Sequence, residues 1–111
     1  MPRHPVYLWT LPMFHCNGWC FAWTLAANAG THVCMRRFEP RQTLAMIREH
    51  RVTHYCGAPV VHAMLAWAPA EWKTGILHRV HGLIGGAPPQ VPVIAAMQRM
   101  GFEITQIYGL T

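Results

Sequence analysis

The sequence predicts an α/β fold, a mainly parallel sheet flanked by helices. Short β-branched and aromatic runs alternate with helix-length segments of about ten residues, the pattern of βαβ units. Glycine or proline stands at nearly every changeover, where one element must stop and the next begin. No internal repeat or low-complexity linker interrupts the alternation.

The elements follow in order. Val6-Tyr7-Leu8-Trp9-Thr10-Leu11 is a buried strand closed by Pro12. Trp19 to Asn28 is apolar on nearly every face and is followed by Gly30, so it reads as a buried helix with a glycine stop. Thr31 to Met35 is a second short strand. Pro40 suits the first turn of a helix, where its missing N–H costs nothing. Leu44 and Ile47 form that helix's apolar stripe, with Arg41, Arg48 and Glu49 left for solvent. Val52 to Cys56 is a strand broken at Gly57, and Pro59 opens a helix carrying Val60, Val61, Met64 and Leu65. Ala68 to Arg79 is a connection with a helical turn at most. Val80 to Ile84 is a strand running into Gly85-Gly86-Ala87-Pro88-Pro89. A helix with Val93, Ile94, Met97 and Met100 on one side follows, closed by Gly101, and Phe102 to Ile107 is the last strand.

Composition narrows the function. The chain has 111 residues, the size of one domain. Its charged fraction of 12% is half of the roughly 25% usual for soluble domains. Such a shortage of polar surface predicts an internal slice of a larger protein, with faces that neighbours would cover. The net charge is +5, but the basic residues are scattered and form no stripe with interleaved aromatics, which argues against nucleic-acid binding. Cys16, Cys20, Cys34 and Cys56 form no disulfide framework, and Cys34 and Cys56 sit in apolar runs that suit small buried thiols. With no signal peptide opening the chain, a reducing, cytoplasmic setting is expected. The longest apolar stretch, Trp19 to Ala29, falls short of the about 20 residues a membrane span needs.

Ligands of open α/β sheets bind outside the carboxyl ends of the strands. Three unusual segments lie there: His15 to Trp19, Gly85 to Pro89, and Tyr108 to Thr111. His15 could donate a hydrogen bond to a developing anion or position a carboxylate, or be satisfied by backbone. Trp19 and Phe21 serve as well for an apolar tunnel as for core. The small residues Gly85, Gly86, Ala87 and Pro88 let backbone approach a flat ligand, or simply turn strand into helix. Tyr108 offers a ring for stacking, Gly109 a close approach, and Thr111 a hydroxyl for an anion or for capping a following helix. His15, Cys16 and Cys20 place three metal-ligating side chains within six residues, but a zinc site would want a second ligand pair, so no metal site is assigned.

PMFHCNGW at 12–19, GGAPP at 85–89 and YGLT at 108–111, in this order and spacing, resemble the adenylate-forming (AMP-dependent) acyl-CoA synthetases. The wording from Pro5 to Gly30 is most similar to medium-chain fatty acid and methylmercaptopropionate-type CoA ligases. The resemblance implies a βαβ slice of the large N-terminal domain of those enzymes, residues 1–111 being a partial adenylation domain truncated at both ends. It implies activation of a carboxylic, fatty-type acid by ATP to an acyl-adenylate, and transfer of the acyl group to coenzyme A. His15 and Thr111 would take the catalytic places, with His15 beside the carboxylate and Thr111 on the phosphate. Trp19, Gly86, Pro88 and Gly109 would border the acid; Gly85, Gly86, Ala87, Pro88, Tyr108, Gly109 and Thr111 would hold the nucleotide. The family's phosphate loop, its Mg²⁺-binding Glu after Thr111, its ribose-binding Asp and its C-terminal Lys have no counterpart here. The expectation is therefore a piece inactive on its own, from a parent that uses ATP, coenzyme A and Mg²⁺ and could be a homodimer. A non-catalytic nucleotide- or acyl-binding remnant, or an interaction module, is the alternative.

Overall fold

The structure is a computed structural model that describes residues 1–109, so Leu110 and Thr111 lie outside the described residues. It contains a five-stranded sheet: β1 (Val6–Trp9), β2 (Thr31–Cys34), β3 (His54–Gly57), β4 (Val80–Ile84) and β5 (Phe102–Gln106), in the order β2-β1-β3-β4-β5. Every pairing is parallel, from Val6 against Thr31 at one edge to Ile84 against Gln106 at the other. The helical segments are α1 (Cys16–Trp19), α2 (Phe21–Ala27), α3 (Pro40–Glu49), α4 (Pro59–Ala66), α5 (Ala70–Lys73) and α6 (Val91–Arg99).

Successive strand residues point to opposite faces, and the two faces are covered unequally. Leu8, Tyr55, Val80 and Phe102 face the main core, where Leu44 and Ile47 of α3, Leu65 of α4, and Val93 and Met97 of α6 pack on them. Tyr7, Trp9 and Cys56 face the other way, where Leu25 of α2 covers them, with Phe21 and Leu83 at the margin. Burial of one large aliphatic or aromatic side chain contributes roughly 1.5–3 kcal/mol, so the first cluster carries most of the stability. On the α2 face the Tyr7 hydroxyl is buried without a hydrogen-bond partner. Its ring packs edge-on to Trp9 and flat on Phe21, each with centroids 4.9 Å apart.

Local chemistry explains the element ends. The Glu39 carboxylate accepts from the Arg41 and Gln42 N–H groups at 3.0 and 2.7 Å, capping α3 ahead of Pro40. β1 stops at Trp9 rather than Leu11, because Thr10 turns aside and its hydroxyl donates to the Cys56 carbonyl. β3 runs to Gly57 instead of breaking before it, since Gly57 pairs with Ile84 in register. Val52 and Thr53 precede that strand: the Thr53 hydroxyl takes up the Val6 N–H at 3.0 Å, anchoring the entry to β1. Cys34 is exposed on the edge strand, not buried as its apolar surroundings predict, whereas Cys56 is buried.

α4 differs most from its sequence reading. Val60 and Met64 are exposed, and His62 points inward with Leu65 and Ala66. His62 is fully buried, with Nδ1 at 2.9 Å from the Tyr55 hydroxyl and Nε2 at 3.3 Å from the Leu83 carbonyl. A carbonyl can only accept, so Nε2 carries the proton, Nδ1 accepts, and the tyrosine donates. The imidazole is thus a neutral bridge from α4 to β3 and β4. Burial holds its pKa down at about 4, against 6.5 for a free histidine. His54 is also held down at about 4, by burial and by the His81 ring stacked on it at 4.9 Å.

Both histidines bind protons more readily in the unfolded chain than in the folded one. Stability they contribute is complete above pH 6.5 and is lost as pH falls towards about 4. The urea midpoint is therefore expected to drop between about pH 7 and about pH 4.5, and to drop less in His62→Gln, which removes one of the two titrations. A His62→Gln profile as steep as the parent's would show that this group is not responsible.

Candidate functional site

Parallel strands deliver all five carboxyl ends to one edge, and the loops after β1, β4 and β5 meet there. The loop after β1 contains the least expected geometry of the chain. Trp19 and Cys20 do not begin the long helix; α2 starts at Phe21, and the preceding turn winds left-handed. φ is 46° at Cys16, 51° at Asn17, 59° at Gly18, 57° at Trp19 and 64° at Cys20. A left-handed conformation costs roughly 1–2 kcal/mol for each residue with a Cβ, so packing must hold four such residues in place.

Two contacts do so. Gly18 is buried against the Trp9 indole: a Cβ there would fall 2.2 Å from Trp9 Cζ3. Trp9 is itself fixed, since its Nε1–H donates to His32 Nδ1 at 2.9 Å and the two rings stack at 9°. One residue on, the Trp19 indole lies over Gly85, where a Cβ would come within 2.8 Å of Trp19 Cη2 and 3.1 Å of Ile107 Cγ1. The turn's own bonds, Gly18 N–H to the His15 carbonyl at 2.9 Å and Cys20 N–H to the Cys16 carbonyl at 3.0 Å, close it.

The two glycines after β4 serve different needs. Gly85 is small because Trp19 and Ile107 crowd it. Gly86 has open space around it but sits at φ 93°, which residues with a Cβ rarely adopt. The result is a cavity of about 420 Å³ lined by His15, Cys16, Trp19, Cys20, Gly85, Gly86, Ile107 and Gly109. The Trp19 indole and Ile107 give it apolar wall, and Gly85, Gly86 and Gly109 present no side chain, which suits a flat or aliphatic ligand.

Sequence-predicted residues from all three loops therefore share one space: His15, Trp19, Gly85, Gly86 and Gly109. Others stand apart. Pro88 lines a separate groove of about 230 Å³ with Pro59, Val60, Trp67 and Val93, between α4 and α6. Ala87 belongs to the turn but not to the cavity lining. Tyr108 is 92% exposed beside the cavity, and Thr111 lies outside the described residues. A larger cavity of about 570 Å³, lined by Arg41, Ala45, Arg48, Glu71 and Trp72, borders none of the three loops. Among the described residues no group of three His, Cys, Asp or Glu side chains is placed to hold a metal ion, His15, Cys16 and Cys20 included. Sequence reasoning missed Cys16, Cys20 and Ile107 as wall residues; Asn17-Gly18, a pair that favours positive φ, was the available signal.

Comparison with known proteins identifies the family. A family model described as AMP-binding enzyme matches residues 1–111. A peroxisomal acetate/butyrate–CoA ligase of Arabidopsis thaliana is 47% identical over 107 residues, covering 96% of this chain and 19% of the relative. The N-terminal domain of FACL13 from Mycobacterium tuberculosis superposes with a TM-score of 0.88 at 24% identity, over 99% of this chain and 28% of that one. O-succinylbenzoate coenzyme A synthetase from Bacillus subtilis, in complex with ATP and magnesium ion, superposes at 0.80 and 24% identity, over 99% of this chain and 22% of that one. The chain spans about a fifth of the length of the curated relatives it matches.

The Gly18–Trp9 contact makes a sharp prediction. Gly18→Ala adds a methyl group to a filled space in a left-handed residue and should cost about 2–4 kcal/mol. Gly86→Ala carries only the backbone penalty and should cost about 1–2 kcal/mol. Urea denaturation compares them, and equal losses would show that the indole does not confine Gly18.

Proposed function

The chain belongs to the AMP-binding enzyme family, and from that premise we propose that its 111 residues are a portion of the adenylation domain of an acyl-CoA ligase. The reaction proposed joins a carboxylic acid to ATP and then to coenzyme A. A carboxylate oxygen attacks the α-phosphorus, the bond to pyrophosphate breaks, and an acyl-adenylate forms. The coenzyme A sulfur then attacks the acyl carbon and AMP leaves.

The observation that carries this reading is the convergence of His15, Trp19, Gly85, Gly86 and Gly109 on one cavity. His15 stands at its wall, where an imidazole N–H stabilises charge gathering between carboxylate and phosphate. Trp19 supplies apolar wall for the acyl chain. The backbone at Gly85 and Gly86 gives a flat edge for adenine, and the exposed Tyr108 ring stacks on it when the nucleotide enters. Ala87 and Pro88 shape the turn and Gly109 closes it against the acyl group; the phosphate role assigned to Thr111 falls outside the described residues. Mg²⁺ would accompany ATP in the parent enzyme; among the described residues no group of three His, Cys, Asp or Glu side chains is placed to hold it.

The modest cavity and the acetate and butyrate of the Arabidopsis relative support a short aliphatic acid. Exposed Cys20 and Cys34 suit a reducing compartment, the cytosol or, as for that relative, the peroxisome.

Pyrophosphate release by a ligase carrying these residues tests the assignment. Trp19→Ala should shift relative rates among short and longer acids by about tenfold with little change in the KM for ATP. Tyr108→Ala should raise the KM for ATP by about tenfold with acid preference intact. If either variant disturbed acid and nucleotide alike, the division of the cavity would be wrong. Failure to release pyrophosphate with any acid would remove the activity itself.

A further inference from the structure

The cavity of about 570 Å³ between α3 and α5 plays no part in acid activation. Its volume falls within the about 300–1,000 Å³ usual for small-molecule sites. Arg41, Ala45 and Arg48 follow one another at i, i+4 and i+7 along α3 and so share one face of that helix. Seven residues advance a helix by about 10.5 Å, which separates the two arginine Cα atoms along the axis. Ala45 leaves a gap between them, and Trp72 of α5 supplies an apolar wall.

Each guanidinium is held by an uncharged group. Arg41 lies over the Trp72 ring, 6.0 Å from its centroid, and among the described residues its guanidinium has no hydrogen-bond or ion-pair partner. A guanidinium stacked on a ring keeps its N–H edges free for a bidentate anion. Arg48 Nη1 donates to the Thr74 carbonyl at 3.2 Å, and its stem lies against Gly75, where a Cβ would come within 2.9 Å of Arg48 Cδ. Glu49, at 3.8 Å and largely exposed, neutralises Arg48 only weakly. Both cations are therefore placed before any ligand arrives, which lowers the ordering cost of binding. Among the described residues lining the groove Glu71 is the one carboxylate; it is exposed and pairs with neither arginine. The net charge of +5 keeps the surrounding field positive.

We propose that this groove binds a small organic dicarboxylate, with one carboxylate on Arg41, the other on Arg48, and the aliphatic middle over Ala45 and against Trp72. One guanidinium at each end matches one singly charged carboxylate at each end. Glu71 disfavours the denser charge of a phosphate. The groove borders none of the three loops, so the proposal stands whether or not the acid-activation reading does.

Suberate, titrated at low salt into the isotope-labelled chain and followed by NMR, tests this. Saturable shifts are expected at the Ala45 amide and the Trp72 indole N–H, with a Kd on the order of 1 mM that rises with added salt. Octanoate, with the same carbon count and a single carboxylate, should bind about tenfold more weakly. Arg41→Gln and Arg48→Gln should each weaken suberate binding about tenfold. Ala45→Leu fills the gap with another strong helix former and should weaken it by at least as much. Arg99→Gln removes an exposed charge from α6, outside the groove, and should leave the affinity unchanged. Octanoate bound as tightly as suberate, an Arg99→Gln loss equal to that of Arg41→Gln, shifts confined to the Trp19 cavity, or no saturable shift at all would overturn the proposal.

Discussion

One contact underlies the site: the buried Gly18 backbone pressed against the Trp9 ring. β1 supplies the ring, His32 of the edge strand orients it, and the glycine is the only residue type that can lie so close. From that point the chain has little choice. Gly18 fixes the turn, the turn aims Trp19 across the edge of the sheet, and Trp19 rests on Gly85 two strands away. A hydrogen bond at one margin of the sheet is thereby connected to a cavity near the other. The strain of four left-handed side-chain-bearing residues, each worth roughly 1–2 kcal/mol, persists because ring packing on both sides of the turn overdetermines it.

Much of the fold was legible in the sequence because its signals are local. Strand runs such as Val80 to Ile84, and glycine or proline at element ends, act over a few residues and survive tertiary context. The same holds for the βαβ rhythm, which places three loops on one edge without any knowledge of contacts. What escaped reading depends on partners far along the chain. An apolar stretch beginning at Trp19 looks helical, and only the ring of Trp9 makes its first two residues turn the other way. His62 lies in a helix whose apolar residues point to two faces, and its inward orientation is decided by a tyrosine hydroxyl and a strand carbonyl. Cys34 looks like core until the strand order makes its strand an edge.

The unequal covering of the sheet gives the molecule a direction. The helix-rich face holds four of the six helical segments and the larger apolar cluster. On the other face a row runs across the strands through His32, Tyr7, His54, His81 and Glu103, each pair in register. Polar and aromatic groups there meet one short helix instead of a second layer. His81 accordingly pairs with Glu103 at 3.6 Å, itself half-shared with Arg79 at 3.4 Å. These surface pairs add little stability; they keep the β5 end of the row hydrated, where apolar residues would invite association, while Tyr7 and His54 are buried.

The indole that walls the cavity hangs from a loop, while the large core residues hang from strands and helices. Depth and volume of the cavity are thus adjustable without repacking the interior. A smaller ring or aliphatic chain in place of Trp19 enlarges the space while Leu8, Tyr55 and Phe102 keep every neighbour they have. Such a separation of duties lets a lineage explore new ligands through single codon changes at little risk to folding, and it makes this position the natural starting point for redesign.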